Sequence, residues 1–207
     1  MKKRFVVMAL DGKQSDFFGL ILCGVLFIGG SIAGSVMAGF FQDGETLSRY
    51  VAAFLDAYKT QPQTDFFAAL ISTVKYHVAA VFLGFSVLGP LLIPALSAVR
   101  GFFLSFSVTA VLRCLGVKGI GFTLSLFGIP AVISIPCFFI LSTLAFSSSL
   151  YILRLVRAHG ARALPSPFCS RLLVSCCACL ILLVALAAAD TYLISRLVSY
   201  AASRITF

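Results

Sequence analysis

The residues of this chain that could do chemistry are few and lie mostly inside apolar surroundings. Lys75-Tyr76-His77 interrupts one long hydrophobic run, Arg100, Arg113 and Lys118 punctuate another region, and Asp190 sits near the far end of a third. An ionisable group inside a membrane segment is by default a candidate for a substrate path or a proton relay. Cys176-Cys-Ala-Cys179 puts Cys176 and Cys179 on one helical face, where two thiols can hold a soft metal. No second ligand pair accompanies them, so they read more simply as small hydrophobes and imply no metal. The acids Asp11, Asp16, Asp43, Glu45, Asp56, Asp65 and Asp190 form no close pair within a span, and His77 and His159 lie in different environments. A membrane protease needs Ser with His, paired carboxylates or a His-Glu metal motif, and this sequence has no HExxH, Walker A or GxGxxG. The expectation is a protein without a catalytic set and without a cofactor.

Composition explains why these groups are isolated. Of 207 residues 60% are hydrophobic and 11% charged, whereas soluble domains carry about 25% charged residues. A soluble fold of this size leaves too much surface wet to hide that apolar content. The expected solvent is lipid. A basic start, Met1-Lys-Lys-Arg, is followed by a hydrophobic run too short for a signal core and then by Asp11, Lys13 and Asp16, so residues 1–16 read as a retained cytoplasmic tail. The net charge of +9 is divided among membrane flanks, which argues for membrane orientation and against nucleic acid. Six of the seven cysteines lie in or beside apolar runs, which excludes a disulfide framework.

The remainder, 17–207, reads as one transmembrane helical domain. Its first span, Phe17 to Phe41, contains Gly30-Ser-Ile-Ala-Gly34, a small-residue face open either to packing within the bundle or to homo-oligomerisation. Residues 42–65 form the longest polar segment. Leu47, Tyr50, Val51, Phe54, Leu55 and Tyr58 recur at helical steps there, and Pro62 ends the pattern. This acidic, amphipathic segment fits the outer face, either resting on the interface or binding a soluble partner through Tyr50, Phe54 and Tyr58. A second run, Phe66 to Ala98, is too long for one straight crossing and is expected to bend at Gly89, Pro90 and Pro94. Lys75 within it lies about 15 Å from Phe66, near enough for its stem to snorkel outward.

The middle region is the least regular. Arg100 to Arg113 brackets an apolar stretch of about 20 Å as a helix, short of a bilayer core. Arg100 is expected to cap its cytoplasmic end, with Arg113 and Lys118 at a turn beyond the other end. Ile120 to Ile152 is interrupted by Gly128, Pro130 and Pro136, a pattern tolerated where other helices meet the freed backbone groups. Residues 153–171, with Arg154, Arg157, Arg162 and Arg171 and no acid, read as a basic cytoplasmic loop before a last span from Leu172 to about Leu197. The fold class is all-α: a polytopic membrane bundle of about five transmembrane helices, with a short and a Pro-broken helix in the middle. If the stretch after Arg100 dips in and returns instead of crossing, the distribution of cations is as even, so both paths stay open.

The order Arg100-Gly-Phe-Phe-Leu-Ser-Phe-Ser-Val108, then Gly116-Val-Lys-Gly119, then a Pro136-containing span ending in Ser147-Ser-Ser-Leu-Tyr-Ile152, resembles the stage II sporulation protein M family. The likeness is concentrated in residues 82–152, and its motif positions are Arg100, Gly101, Phe102, Gly116, Lys118, Gly119 and Pro136. The family often places polar residues around the proline break, whereas Gly128-Ile-Pro-Ala-Val-Ile-Ser-Ile-Pro136 is more apolar. The resemblance implies a non-enzymatic scaffold of the bacterial cell membrane. It would hold the peptidoglycan-degrading sporulation proteins D and P at the septum while the forespore is engulfed. A transporter subunit with a polar path through Lys75, Arg100 and Lys118 is the alternative reading.

Overall fold

The computed structural model describes residues 2–40, 66–116, 120–157 and 167–189, together with Arg49, Ala53 and Thr191. Tyr50, Phe54, Tyr58, Lys118, Gly119 and Asp190 lie outside the described residues, as does the 42–65 segment apart from Arg49 and Ala53. The described chain is helical. Helix α1 is Lys2–Phe40, α2 is Phe66–Gly84 and α3 is Gly89–Leu115. A short α4, Ile120–Thr123, passes through a π-helical turn, Leu124–Gly128, into α5, Ile129–Arg157, and α6 is Pro167–Ala189. Among the described residues three stretches are long and apolar enough to cross a membrane: Ser15–Phe40, Gly89–Leu115 and Ile120–Arg154. Leu173–Ala189 is a shorter apolar helix.

Several sequence expectations are corrected here. The run from Phe66 to Ala98 is two helices that reverse at Phe85–Leu88, ahead of the prolines on which the bend was expected. Pro90 sits in the first turn of α3, where a helix has no use for its missing N–H. Pro94 is accommodated inside the helix. The turn itself is closed by Phe85 N–H to Phe82 O at 3.1 Å and Ser86 N–H to Leu83 O at 3.0 Å. Leu88 N–H donates to Ser86 Oγ at 3.2 Å, and Ser149 on α5 donates to the Ser86 carbonyl.

The short crossing expected from Arg100 to Arg113 is therefore the later part of a 27-residue helix. Arg100 is no terminal cap: it lies eleven residues from Gly89, about 16 Å along the axis. The helix ends at Gly116, whose φ of 58° suits a residue without Cβ and whose N–H returns to Leu112 O. The expected proline break also takes a different form. The chain widens into the π turn just before Pro130, whose missing N–H and bulky ring a regular α-helix accommodates poorly. Pro136 stays within α5. Helix extends into the flanking basic segments: α1 is helical from Lys2, α5 continues to Arg157 and α6 begins at Pro167.

Helix directions follow from the pairs that meet. Cys23 meets Ser97, Phe27 meets Gly101, Gly34 meets Phe102 and Gly39 meets Arg113, so α1 and α3 run parallel. Phe27 meets Phe139, while Phe18 and Gly19 meet Phe146, so α5 runs antiparallel to α1. His77 meets Ser134 and Gly84 meets Ala145, making α2 parallel to α5.

The α1–α3 seam is the most extensive interface among the described helices. A methyl group on Gly30 would strike the Ala98 carbonyl, one on Gly34 the Phe102 carbonyl, and one on Gly101 the Phe27 carbonyl. The GxxxG face is thus occupied within the chain. Hydroxyls stitch the same seam: Ser97 Oγ donates to Cys23 O at 2.9 Å, Ser35 and Ser105 share a 2.5 Å hydrogen bond, and Thr109 donates to Ser35 at 3.3 Å. Gly24 and Gly29 by contrast have nothing within 4 Å of an added Cβ. Gly34→Ala and Gly101→Ala should therefore destabilise the protein, whereas Gly24→Ala and Gly29→Ala should leave it unchanged or stabilise it by up to about 1 kcal/mol through helix propensity. Equilibrium unfolding in mixed micelles reads the contrast, and equal effects at all four positions would refute the seam.

Candidate functional site

Halfway along the bundle α2, α3 and α5 bring Arg100, His77, Tyr76, Ser134 and Phe138 together. The seam explains how Arg100 reaches this place. Gly101 faces α1, and one residue back along the helix is a rotation of about 100°, which turns Arg100 toward α2 and α5. Its Nη2 donates to Ser134 Oγ at 2.5 Å, and its Nη1 lies 3.4 Å from His77 Nε2. The guanidinium carbon stands 4.4 Å from the Phe138 ring centroid and 5.7 Å from that of Tyr76. Two aromatic faces thus offer the cation their negative quadrupoles where lipid offers nothing.

His77 is 1% exposed and holds the other half of the cluster. Its Nδ1 lies 2.9 Å from the Thr73 carbonyl one turn earlier, and its Nε2 lies 3.1 Å from the Ser134 carbonyl. A neutral imidazole has one N–H. On Nδ1 it donates to the Thr73 carbonyl and leaves Nε2 to accept from Arg100; on Nε2 it donates to the Ser134 carbonyl. Phe138 meets the imidazole edge-on at a centroid distance of 5.8 Å. Ser134 serves both sides, its hydroxyl toward Arg100 and its carbonyl toward His77.

A Lys or Arg at the centre of a span costs about 2.5–3.5 kcal/mol on translocon insertion scales. Among the described residues Arg100 meets that cost with rings, a hydroxyl and an imidazole and with no carboxylate. Such a cluster has no nucleophile–base pair in contact; it can fix three helices in register and present positive charge.

Lys75 is exposed, with its Nζ 5.1 Å from the Tyr76 ring centroid. The neighbouring residue His77 faces inward while Lys75 faces outward, so the two do not form one path as a Lys-Tyr-His relay would. Arg113 sits at the other end of α3 and donates from Nη1 to Gly39 O at 3.1 Å, capping a carbonyl in the last turn of α1. The remaining motif residues are spread through the frame: Gly101 and Phe102 in the α1 seam, Gly116 at the end of α3, and Pro136 on an exposed face of α5. Cys137 and Cys179 pack with Leu141, Val81 and Cys176 in an apolar cluster between α5, α2 and α6. Among the described residues no group of three or more His, Cys, Asp or Glu is arranged to hold a metal.

Sequence reasoning found Arg100 but missed its partners Ser134 and Phe138. Ser134 stands in the Gly128–Pro136 stretch that looked too apolar for a polar role, and a lone serine between two isoleucines carries no spacing signal. A further polar layer lies near the α2–α3 turn, where Ser147 donates to the Asp16 carboxylate. No family model, curated protein or solved structure matches the chain.

If Ser134 is the polar anchor of Arg100, Ser134→Ala should lower stability by about 1.5–3 kcal/mol, the range for a hydrogen bond to a charged group. The same change made on Arg100→Leu should cost far less, giving a coupling of about 0.5–3 kcal/mol in a double-mutant cycle. Additive losses would show that the two side chains do not act together.

Proposed function

We propose that this chain is a non-enzymatic scaffold of the bacterial cell membrane. Following the resemblance, it holds peptidoglycan-degrading partners, sporulation proteins D and P, at the septal and engulfing membrane of a developing endospore. The observation that carries the reading is where the motif residues lie. Gly101, Phe102 and Ser105 pack the α1–α3 seam and Arg100 ties α3 to α2 and α5, so the motif specifies a frame. The alternating directions of α1, α2, α3 and α5 support five crossings, with α3 crossing fully and α6 as the last. In this reading the 42–65 segment and the carboxyl terminus lie on the outer side.

The partner surface in this reading is Tyr50, Phe54 and Tyr58. Replacing all three by alanine should abolish co-purification of the hydrolases while leaving the protein in the membrane; undiminished recovery would remove this surface from the proposal. Impermeant labelling of an added carboxyl-terminal cysteine should occur from outside only, and cytoplasmic labelling would overturn the five crossings.

A second reading, a transporter or permease subunit, is favoured by one observation, the polar cluster of Arg100 and His77 midway along the helices. It requires a proteoliposome flux that Lys75→Ala or Arg100→Ala removes.

A further inference from the structure

Lys75 occupies the middle of the 19-residue α2, nine residues from either end, or about 14 Å along the axis. It lies on the outward stripe of that helix, where Ile71, Val78 and Phe82 are also exposed. Contrary to the snorkelling expected from the sequence, a lysine stem of about 6 Å falls short of the roughly 14 Å to either end of α2, so the ammonium stays within the span. Its Nζ instead rests beside Tyr76, the ring that also borders Arg100 on its buried side. Two cations therefore share one aromatic ring at mid-depth. Among the described residues no carboxylate meets either of them.

We infer that the stripe Ile71–Lys75–Val78–Phe82 is the docking face for a transmembrane helix of another protein, one that carries an Asp or Glu near its midpoint. An isolated ammonium facing lipid is a poor end state, and a carboxylate presented at the same depth by a neighbouring helix neutralises it without removing either group from the membrane. Arg100, beside the same Tyr76 ring, adds to the positive potential that such a carboxylate meets. Among the described side chains the one acid is Asp16, which bonds Ser147 at the level of the α2–α3 turn, roughly 14 Å from the level of Lys75, and so is not the carboxylate for this face. The inference requires that α2 cross the membrane, and it does not depend on hydrolases being the partners.

The test uses the full chain in lipid nanodiscs and a fluorescent probe helix of roughly 20 leucines and alanines with a single central Asp. Association is measured by energy transfer against otherwise identical probes with central Asn or Leu. The Asp probe should bind the wild-type chain roughly tenfold or more tightly than the Leu probe. Lys75→Leu should abolish that preference and Lys75→Arg should keep most of it. Lys75→Glu should reverse it in favour of a probe with central Lys, a gain that a misfolded variant cannot show. Equal binding of Asp and Leu probes, or a preference unchanged in Lys75→Leu, overturns the inference. So does Lys75-dependent capture of anionic lipid without capture of the Asp probe. Labelling of Val78→Cys separates a failure of the crossing itself: rapid reaction with a water-soluble maleimide would place α2 outside the lipid, whereas protection with no Asp preference would refute the docking face alone.

Discussion

Lipid gives two apolar helices no hydrophobic reason to meet, so the fold depends on how closely the backbones of α1 and α3 can approach. Gly30, Gly34 and Gly101 remove the side chains that would hold them apart, and each glycine faces a carbonyl of the opposite helix. At that range dispersion contacts and the seam's hydroxyl hydrogen bonds replace the missing hydrophobic drive. The same closeness sets the rotation of α3. Once Gly101 is committed to α1, Arg100 has only α2 and α5 to turn toward. The buried polar cluster is thus a consequence of a glycine seam on the other side of the same helix.

Polar groups occur in tiers along the bundle, each tied to a different set of helices. Near the α2–α3 turn Asp16, Ser147, Ser149 and Ser86 join α1, α5 and the turn. Halfway along, Arg100, His77 and Ser134 join α2, α3 and α5. At the far end Arg113 joins α3 to the last turn of α1. A hydrogen bond to a wrong partner would leave a polar group unpaired in a poor solvent for it. Tiers at three depths therefore resist axial slippage of helices whose apolar faces alone would tolerate it.

Much of the frame was legible in the chain. The first span and the Gly30–Gly34 face follow from apolar length and small-residue spacing. The reversal at Phe85–Leu88 was hidden because Phe-Ser-Val-Leu is as apolar as its flanks, while Pro90 and Pro94 drew attention downstream. A proline in the first turn of a helix breaks nothing, and composition alone does not separate it from one that does. In the sequence Arg100 reads as a boundary, because charge usually marks the membrane surface. That inference fails when neighbouring helices supply rings, a hydroxyl and an imidazole at the right depth. Ser134 needed three-dimensional proximity to gain meaning, since nothing in Ile133-Ser-Ile135 distinguishes a ligand for arginine from a small filler.

The parallel course of α1 and α3 also imposes an order on biogenesis. Two neighbours of like direction need an intervening helix of opposite direction, so α1 cannot acquire its main contact surface until α2 and most of α3 have been made. Residues that touch across the seam, such as Cys23 and Ser97, are separated by 74 positions. During that interval α1 leaves the ribosome with a glycine-lined groove that its own chain has not yet filled. Its glycine carbonyls and hydroxyls must be shielded by the insertion machinery or by lipid until the third helix arrives.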